Sequence, residues 1–211
     1  KNTLIIWVLS TIPMVVIAVI LAFLLTGAFL KGKNFFRTVY YLPNITSTMA
    51  IAIVFANIFG NKYGILNFLI SRLGFDPVQW MSLTWGVHVA IAAIVIWRWT
   101  GYNAIILLAG LQKISSSLYE AASLDGATKI QQFFKITLPM VSPTLFVVLI
   151  MRLMASIKVY DLIYMMVDQT NPALTNAQSL MYLFYRESFV AGNRGYASAI
   201  VVWTVLLIGA V

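Results

Sequence analysis

The chain has 211 residues, 61% of them hydrophobic and only 9% charged, with 14 basic against 6 acidic side chains and a formal charge of +8. Ordinary globular domains carry roughly 25% charged residues, so this composition excludes a water-soluble fold and fits an all-α chain dissolved in lipid. The basic residues are scattered between apolar stretches and read as charges flanking membrane spans rather than as a nucleic-acid patch, and the absence of cysteine excludes disulfides, thiolate metal sites and cysteine nucleophiles.

A bilayer core takes ~20 apolar residues in a helix. Leu4–Leu30 is uncharged and is the first expected span, with Pro13 kinking it rather than ending it. Thr38–Phe59 is the second, with Pro43 and Asn44 near its start. Trp80–Leu111 is interrupted only by Arg98, and Ile136–Ile157 only by Arg152. Ala197–Val211 begins a fifth. A signal peptide is excluded by the length of the first stretch and by the spans that follow. Ile65–Leu73 and Ala177–Val190 are too short to cross and are expected to lie along the interface as short helices.

Lys31, Lys33 and Arg37 mark the first connection and Lys113, Lys129 and Lys135 the third, against Lys62, Arg72, Arg186, Arg194 and Lys1 on the other side. Six basic residues against five favours the first and third loops as cytoplasmic. The N-terminus of the piece is then outside. A start at Lys1 and an end within the apolar run Ile200–Val211 predict a fragment of a longer chain with an earlier span.

The third connection, residues 113–138, carries most of the information. Ser117 and Glu120 have the S-x-x-E spacing of a capping box, predicting a helix from Leu118 to Leu124. Ala121 and Ala122 are strong helix formers whose small side chains let another surface approach closely. Asp125-Gly126 stops the helix, and Gly126 is expected to need a positive φ and a close backbone approach. Ile130, Phe133 and Phe134 then form one apolar face, and Leu138-Pro139 leads into the next span. There is no GxxxxGK[ST], HExxH or GxSxG, and the single His88 is expected to be a helix-interior residue hydrogen-bonded to a neighbour.

This loop resembles the signature of binding-protein-dependent ABC importer permeases, in which Glu-Ala-Ala is followed by a Gly and then by Ile-x-Leu-Pro. Glu120-Ala121-Ala122, Asp125-Gly126-Ala127 and Ile136-Thr137-Leu138-Pro139 carry the match. Phe36-Arg37-Thr38 with Leu42-Pro43, Gly64-Ile65-Leu66-Asn67, Leu111-Gln112 and Tyr196-Ala197-Ser198-Ala199 are similar to the carbohydrate branch, that of the maltose and glycerol-3-phosphate permeases. Where many relatives have Gly-Gly-Pro, this chain has Gln169-Thr170-Asn171-Pro172.

The resemblance implies a polytopic helical bundle of about five spans, a type I ABC importer transmembrane domain occupying 1–211 with a coupling loop at 113–138. It implies a multi-pass protein of a bacterial or archaeal cytoplasmic membrane, partnered by ATPase subunits, a second permease subunit and an extracytoplasmic solute-binding protein. No ATPase site of its own is implied, the partner ATPase using ATP-Mg, and no metal. Glu120, Ala121, Ala122, Asp125, Gly126 and Pro139 are the implied coupling residues, with Glu120 or Asp125 pairing a base across the interface.

Charge at the membrane centre is costly, by ~2.5–3.5 kcal/mol on insertion scales. Arg98 and Arg152 each lie thirteen residues from the cytoplasmic end of their spans, roughly 20 Å deep, whereas Lys158 is close enough to the outer surface to snorkel. Such charges either pair between helices, for instance with Asp161, or serve the translocation path. The resemblance makes Arg98, Thr100, Gly101, Arg152, Ser156 and Tyr160 the pathway candidates. Trp97, Trp99 and Tyr102 add aromatic faces suited to sugar. The substrate class expected is a sugar or oligosaccharide, and the two arginines equally suit an anion such as glycerol-3-phosphate. An ion-coupled secondary transporter would need intramembrane carboxylates, and only Asp161 approaches a span.

Overall fold

The computed structural model describes residues 1–26 and 32–210, so Leu30, Lys31 and Val211 of the expected elements lie outside the described residues. In chain order the helices are α1 (Asn2–Thr26), α2 (Lys33–Ile45), α3 (Thr48–Ile58), α4 (Ile65–Arg72), α5 (Thr84–Leu111), α6 (Ser116–Leu124) and α7 (Lys129–Gln132). A π-helical turn, Phe133–Thr137, joins α7 to α8 (Leu138–Ile157). There follow α9 (Asp161–Met166), α10 (Pro172–Ala177), α11 (Leu180–Tyr185) with a second π turn (Arg186–Val190), and α12 (Arg194–Gly209). All regular structure among the described residues is helical, which is how lipid requires the backbone to satisfy itself.

α1, α5 and the continuous run Lys129–Ile157 are long and apolar enough to cross a membrane. The second expected span differs from its prediction. α2 and α3 meet at a 91° bend and together make at most one broken span. Pro43 has no N–H for the Val39 carbonyl, and the helix stops two residues later. Ser47 is then extended, with φ −54° and ψ 129°, before α3 begins. α12, a 16-residue apolar helix, is where the fifth expected span begins; by length and composition, three helices among the described residues can cross, or four if the bent pair is one span. Pro13 is accommodated inside an unbroken α1, as expected. Ile65–Arg72 is a helix as predicted, but 177–190 is not one element: α10 ends there, Gln178 and Ser179 are extended, and α11 follows.

The described residues fall into two compact units. One comprises Lys1–Ile12, Thr46–Ile96 and Arg152–Val211, the other Pro13–Ile45 and Trp97–Met151. In the second unit, Ala18, Ala22 and Leu25 of α1, Ala104, Leu107, Leu108 and Leu111 of α5, and Val141 and Val148 of α8 form the core. These positions recur at helical spacing and include small residues, through which membrane helices come close. Gly110 is such a contact: a Cβ there would sit 2.6 Å from the Thr144 hydroxyl.

The first unit packs α3 on α9 and α11 on α12. Its loop between α3 and α5 is organised by buried Asn67, whose amide donates to the carbonyls of Gly60, Asn61 and Val78. The Asn67 Oδ1 accepts from the Val78 N–H and the Trp80 indole. His88 is buried in α5 as expected, but its Nε2 makes no hydrogen bond. Apolar side chains stay exposed along α1 (Leu4, Ile12, Val16, Ile20, Leu24) and α12 (Val202, Trp203, Val205, Leu206), an arrangement suited to hydrocarbon and not to water.

Candidate functional site

The hairpin of α6 and α7 follows directly from its sequence. Ser115, not Ser117, caps α6: its hydroxyl accepts the Ser117 N–H at 3.3 Å, and the helix begins at Ser116. The expected Ser117–Glu120 box is therefore absent, because Ser117 already lies inside the first turn. A capping box does form one helix later, where Thr128 accepts from the Gln131 N–H and Gln131 Oε1 accepts from the Thr128 N–H. Between them Gly126 has φ +78°, with the Ala127 N–H bonded to the Ala122 carbonyl and the Gly126 N–H to Ser123. This is a Schellman closure, which needs a left-handed residue at that point. The expected close approach is not there. A Cβ on Gly126 would meet nothing within 4 Å.

Two buried side chains with no role of their own assigned from the sequence brace the hairpin. Gln132 is 3% exposed; its amide donates to the Ser123 hydroxyl at 2.8 Å and to the carbonyls of Tyr119 and Ala127 at 3.4 Å. Thr137, 1% exposed, lies 2.9 Å from the Tyr119 hydroxyl and donates to the Gln132 carbonyl inside the π turn. The π turn itself precedes Pro139, whose ring would clash with the Lys135 carbonyl in a regular helix. Around this brace α6 buries none of its own residues. Glu120, Ala121, Asp125 and Pro139 are exposed, Ala122 is half-buried, and Leu118, Leu124, Ile130 and Phe134 remain uncovered. Ser116, Tyr119, Glu120, Ser123, Leu124 and Lys129 line a shallow groove on this face.

The pathway candidates divide between the two units. Arg98, Thr100 and Gly101 belong to one, Arg152, Ser156 and Tyr160 to the other. Arg98 is half-buried with its guanidinium 5.9 Å from the Trp99 ring centre. Trp99 packs edge-on against Tyr102 at 5.7 Å, and Tyr102 lies 6.3 Å from Tyr41. Thr100 is buried. Gly101 is a packing position, since a Cβ there would overlap the Tyr40 carbonyl of α2. Asn103, also missed by the sequence reading, is 2% exposed and donates to the Trp99 carbonyl and to the Met14 sulfur. In the other unit Arg152 is 7% exposed, and the Ser156 hydroxyl bonds its own helix at the Leu153 carbonyl. Lys158 and Asp161 are both exposed and form no ion pair with each other.

The segment that replaces Gly-Gly-Pro has its own internal bonding. Asp168 accepts the Thr170 N–H at 2.8 Å and hydroxyl at 2.7 Å, and these donors hold its carboxyl below the ordinary value. Asn171 caps α10 through the Ala173 N–H and donates to the Met81 carbonyl.

Residues 3–211 match the family described as binding-protein-dependent transport system inner membrane component. The chain is 34% identical over 179 residues to the trehalose/maltose transport system permease protein MalF of Thermococcus litoralis, covering 85% of this chain and 60% of that protein. It is 30% identical over 192 residues to the arabinooligosaccharides transport system permease protein AraP of Bacillus subtilis, covering 90% and 61%. It thus spans about 60% of the length of these curated relatives. Its fold superimposes with a TM-score of 0.88 and 26% identity on a chain of a bacterial ABC transporter involved in the import of the acidic polysaccharide alginate, covering all of this chain and 73% of that one. With helices of spanning length and a match over nearly its whole extent, the chain is a multi-pass membrane protein and belongs to the binding-protein-dependent transport system inner membrane components.

Proposed function

We propose that the chain is the permease subunit of an ATP-driven importer, forming the path for a sugar or oligosaccharide and coupling it to a separate ATPase. The observation that carries this reading is the α6 hairpin, presented with its small and acidic residues uncovered and braced onto the helix that continues into a span. In this reading α6 sits in a groove of the ATPase subunit, and Glu120 or Asp125 pairs a basic group there. Closure of the ATPase dimer then moves α6 as a rigid body. Because Tyr119 is bonded to Thr137 and Gln132 to Ser123, the displacement passes to α8 instead of being absorbed at the turn. ATP-Mg is used by the partner; this subunit turns its hydrolysis into alternating access. A second permease subunit and an extracytoplasmic solute-binding protein complete the assembly, in the cytoplasmic membrane of a bacterium or archaeon.

The sugar permease names of the relatives support a carbohydrate. Arg98, half-buried beside Trp99, favours a second reading, in which the same machine carries glycerol-3-phosphate or another anion. The test is uptake by the full-length complex, reconstituted with its ATPase and binding protein, across neutral sugars, acidic oligosaccharides and phosphorylated polyols. Uptake without ATP, driven by an ion gradient, would remove the reading.

A further inference from the structure

The residues after α8 hold a group of rings that no part of the coupling argument uses. Tyr160, Tyr164 and Tyr185 form a closed triangle, with ring centres 5.4 Å (160–164), 5.2 Å (164–185) and 4.7 Å (160–185) apart. Phe189 extends it, 5.4 Å from Tyr185 and tilted 32°. Beneath them Tyr182 is 3% exposed, 6.2 Å from Tyr160, and its hydroxyl donates to the Gln169 Oε1. Gln169 is held in turn by the carbonyls of Tyr164 and Val167. The base is therefore fixed and the rim open, with Tyr164 38% and Phe189 71% exposed.

We propose that this triangle, edged by Phe189, is a stacking subsite for a neutral sugar ring of an oligosaccharide approaching the translocation path, an inference that rests on the function proposed above. Aromatic rings with two rotatable angles offer flat apolar faces at small entropic cost, and the phenol groups beside them supply hydrogen bonds, which together match the two kinds of surface on a sugar. A belt of lipid anchors would present single rings outward along a helix. Here the rings turn on one another over a buried, hydrogen-bonded base. Charge selects among sugars. Asp161, Asp168 and Glu187 lie in this segment, three of the 6 acidic residues of the chain. The cations there are Lys158 and Arg186, and Arg186 is engaged by Glu187 at 2.9 Å. With Glu187 and Arg186 engaged by each other, an acidic oligosaccharide would meet Asp161 and Asp168 against Lys158, an excess of negative charge, so the neutral class is favoured.

The experiment uses the full-length permease in its assembled transporter, in proteoliposomes with saturating loaded binding protein. Maltotriose and an arabino-oligosaccharide are the neutral probes and an alginate oligosaccharide the acidic one. Tyr164→Ala is expected to lower neutral-sugar uptake about tenfold, the scale of a lost ring contact on both sides. Phe189→Ala should act in the same direction, while Tyr164→Phe, which keeps the ring, stays within about twofold. Sugar-free ATP hydrolysis and assembled yield should not change. Normal uptake by both alanine variants overturns the subsite and leaves the importer reading standing. Loss of assembled yield with Tyr164→Ala assigns the rings to packing and overturns it as well. Faster uptake of the acidic probe by the unaltered transporter overturns the neutral assignment. No ATP-dependent uptake of any carbohydrate overturns the importer reading and this inference together.

Discussion

The hydroxyls of Tyr119 and Thr137 lie 2.9 Å apart, joining the exposed helix α6 to the turn from which a membrane span rises. Together with the Gln132–Ser123 bond of 2.8 Å this makes the hairpin one mechanical piece. Gln132→Ala leaves a hydroxyl and two carbonyls without their donor, at a cost of about 1–3 kcal/mol. We expect substrate-stimulated ATP hydrolysis to fall several-fold in the variant complex while yield from the membrane is kept. Tyr119→Phe should act in the same direction, more weakly. Unaltered stimulation in both would show that the brace does not transmit motion.

Gly126 separates backbone strain from crowding. It stands at φ +78° in open space, so the penalty of a substitution there arises from conformation alone, about 1–2 kcal/mol for an ordinary residue. Coupling should fall in the order Val, then Ala, with Asn least affected because Asn tolerates the left-handed region. If crowding mattered instead, Asn would be worse than Ala. ATPase stimulation of the three variants, at matched expression, distinguishes the two.

The hairpin of α6 and α7 was legible because its signals are local: Glu-Ala-Ala, a stop at Asp-Gly and a Leu-Pro entry each act within a few residues. What was missed is long-range or depends on choosing between near neighbours. Ser115 and Ser117 have equal claim to the cap by type, and only the helix's first hydrogen bond decides between them. Gln132 stands beside Gln131 in the sequence; one closes a capping box and the other is buried, a difference set by which face meets α6. Composition likewise marked Thr38–Phe59 as one apolar run, because a 91° bend leaves the count of apolar residues untouched. Asn67 reads as one polar residue of a short interfacial helix until the chain around it is folded.

Topology can be read by labelling, since the chain has 0 cysteines to interfere. Single cysteines at Lys33 and Lys129 should react with a membrane-impermeant maleimide only from the cytoplasmic side. Tyr63, 95% exposed, and Asn193 should react only from outside. Reaction of Lys129 and Tyr63 from one side would remove the coupling assignment.

Acid should loosen the turn that follows α9. The Thr170 N–H and hydroxyl hold the Asp168 carboxyl below its ordinary 3.8, so the folded turn favours the ionised form. That contribution is complete above the ordinary value and is lost as pH falls through the depressed one. Protection of the Thr170 amide from hydrogen exchange should therefore be constant from neutral pH to about pH 5 and decline below about pH 4. In Asp168→Asn the step should vanish. A step that persists there would assign the titration to another group.

The two arginines should separate by burial. Arg152, 7% exposed, is expected to act on assembly: losing one member of a buried pair leaves the other uncompensated, on the order of 3–5 kcal/mol, and Arg152→Ala should lower both yield and thermal stability. Arg98 is half-buried beside Trp99, so Arg98→Ala should leave assembly intact and reduce uptake. The conservative replacements then report on the substrate. A phosphate or carboxylate held by Arg98 makes a bidentate, charge-assisted contact that lysine reproduces poorly. A neutral sugar needs only donors, which glutamine also supplies. With the carboxylate-rich segment around Tyr160 favouring neutral rings, we expect Arg98→Gln to keep much of the neutral-sugar uptake. Strong loss with both lysine and glutamine, at normal yield, would turn the assignment toward an anionic solute and place Arg98 as its counter-charge.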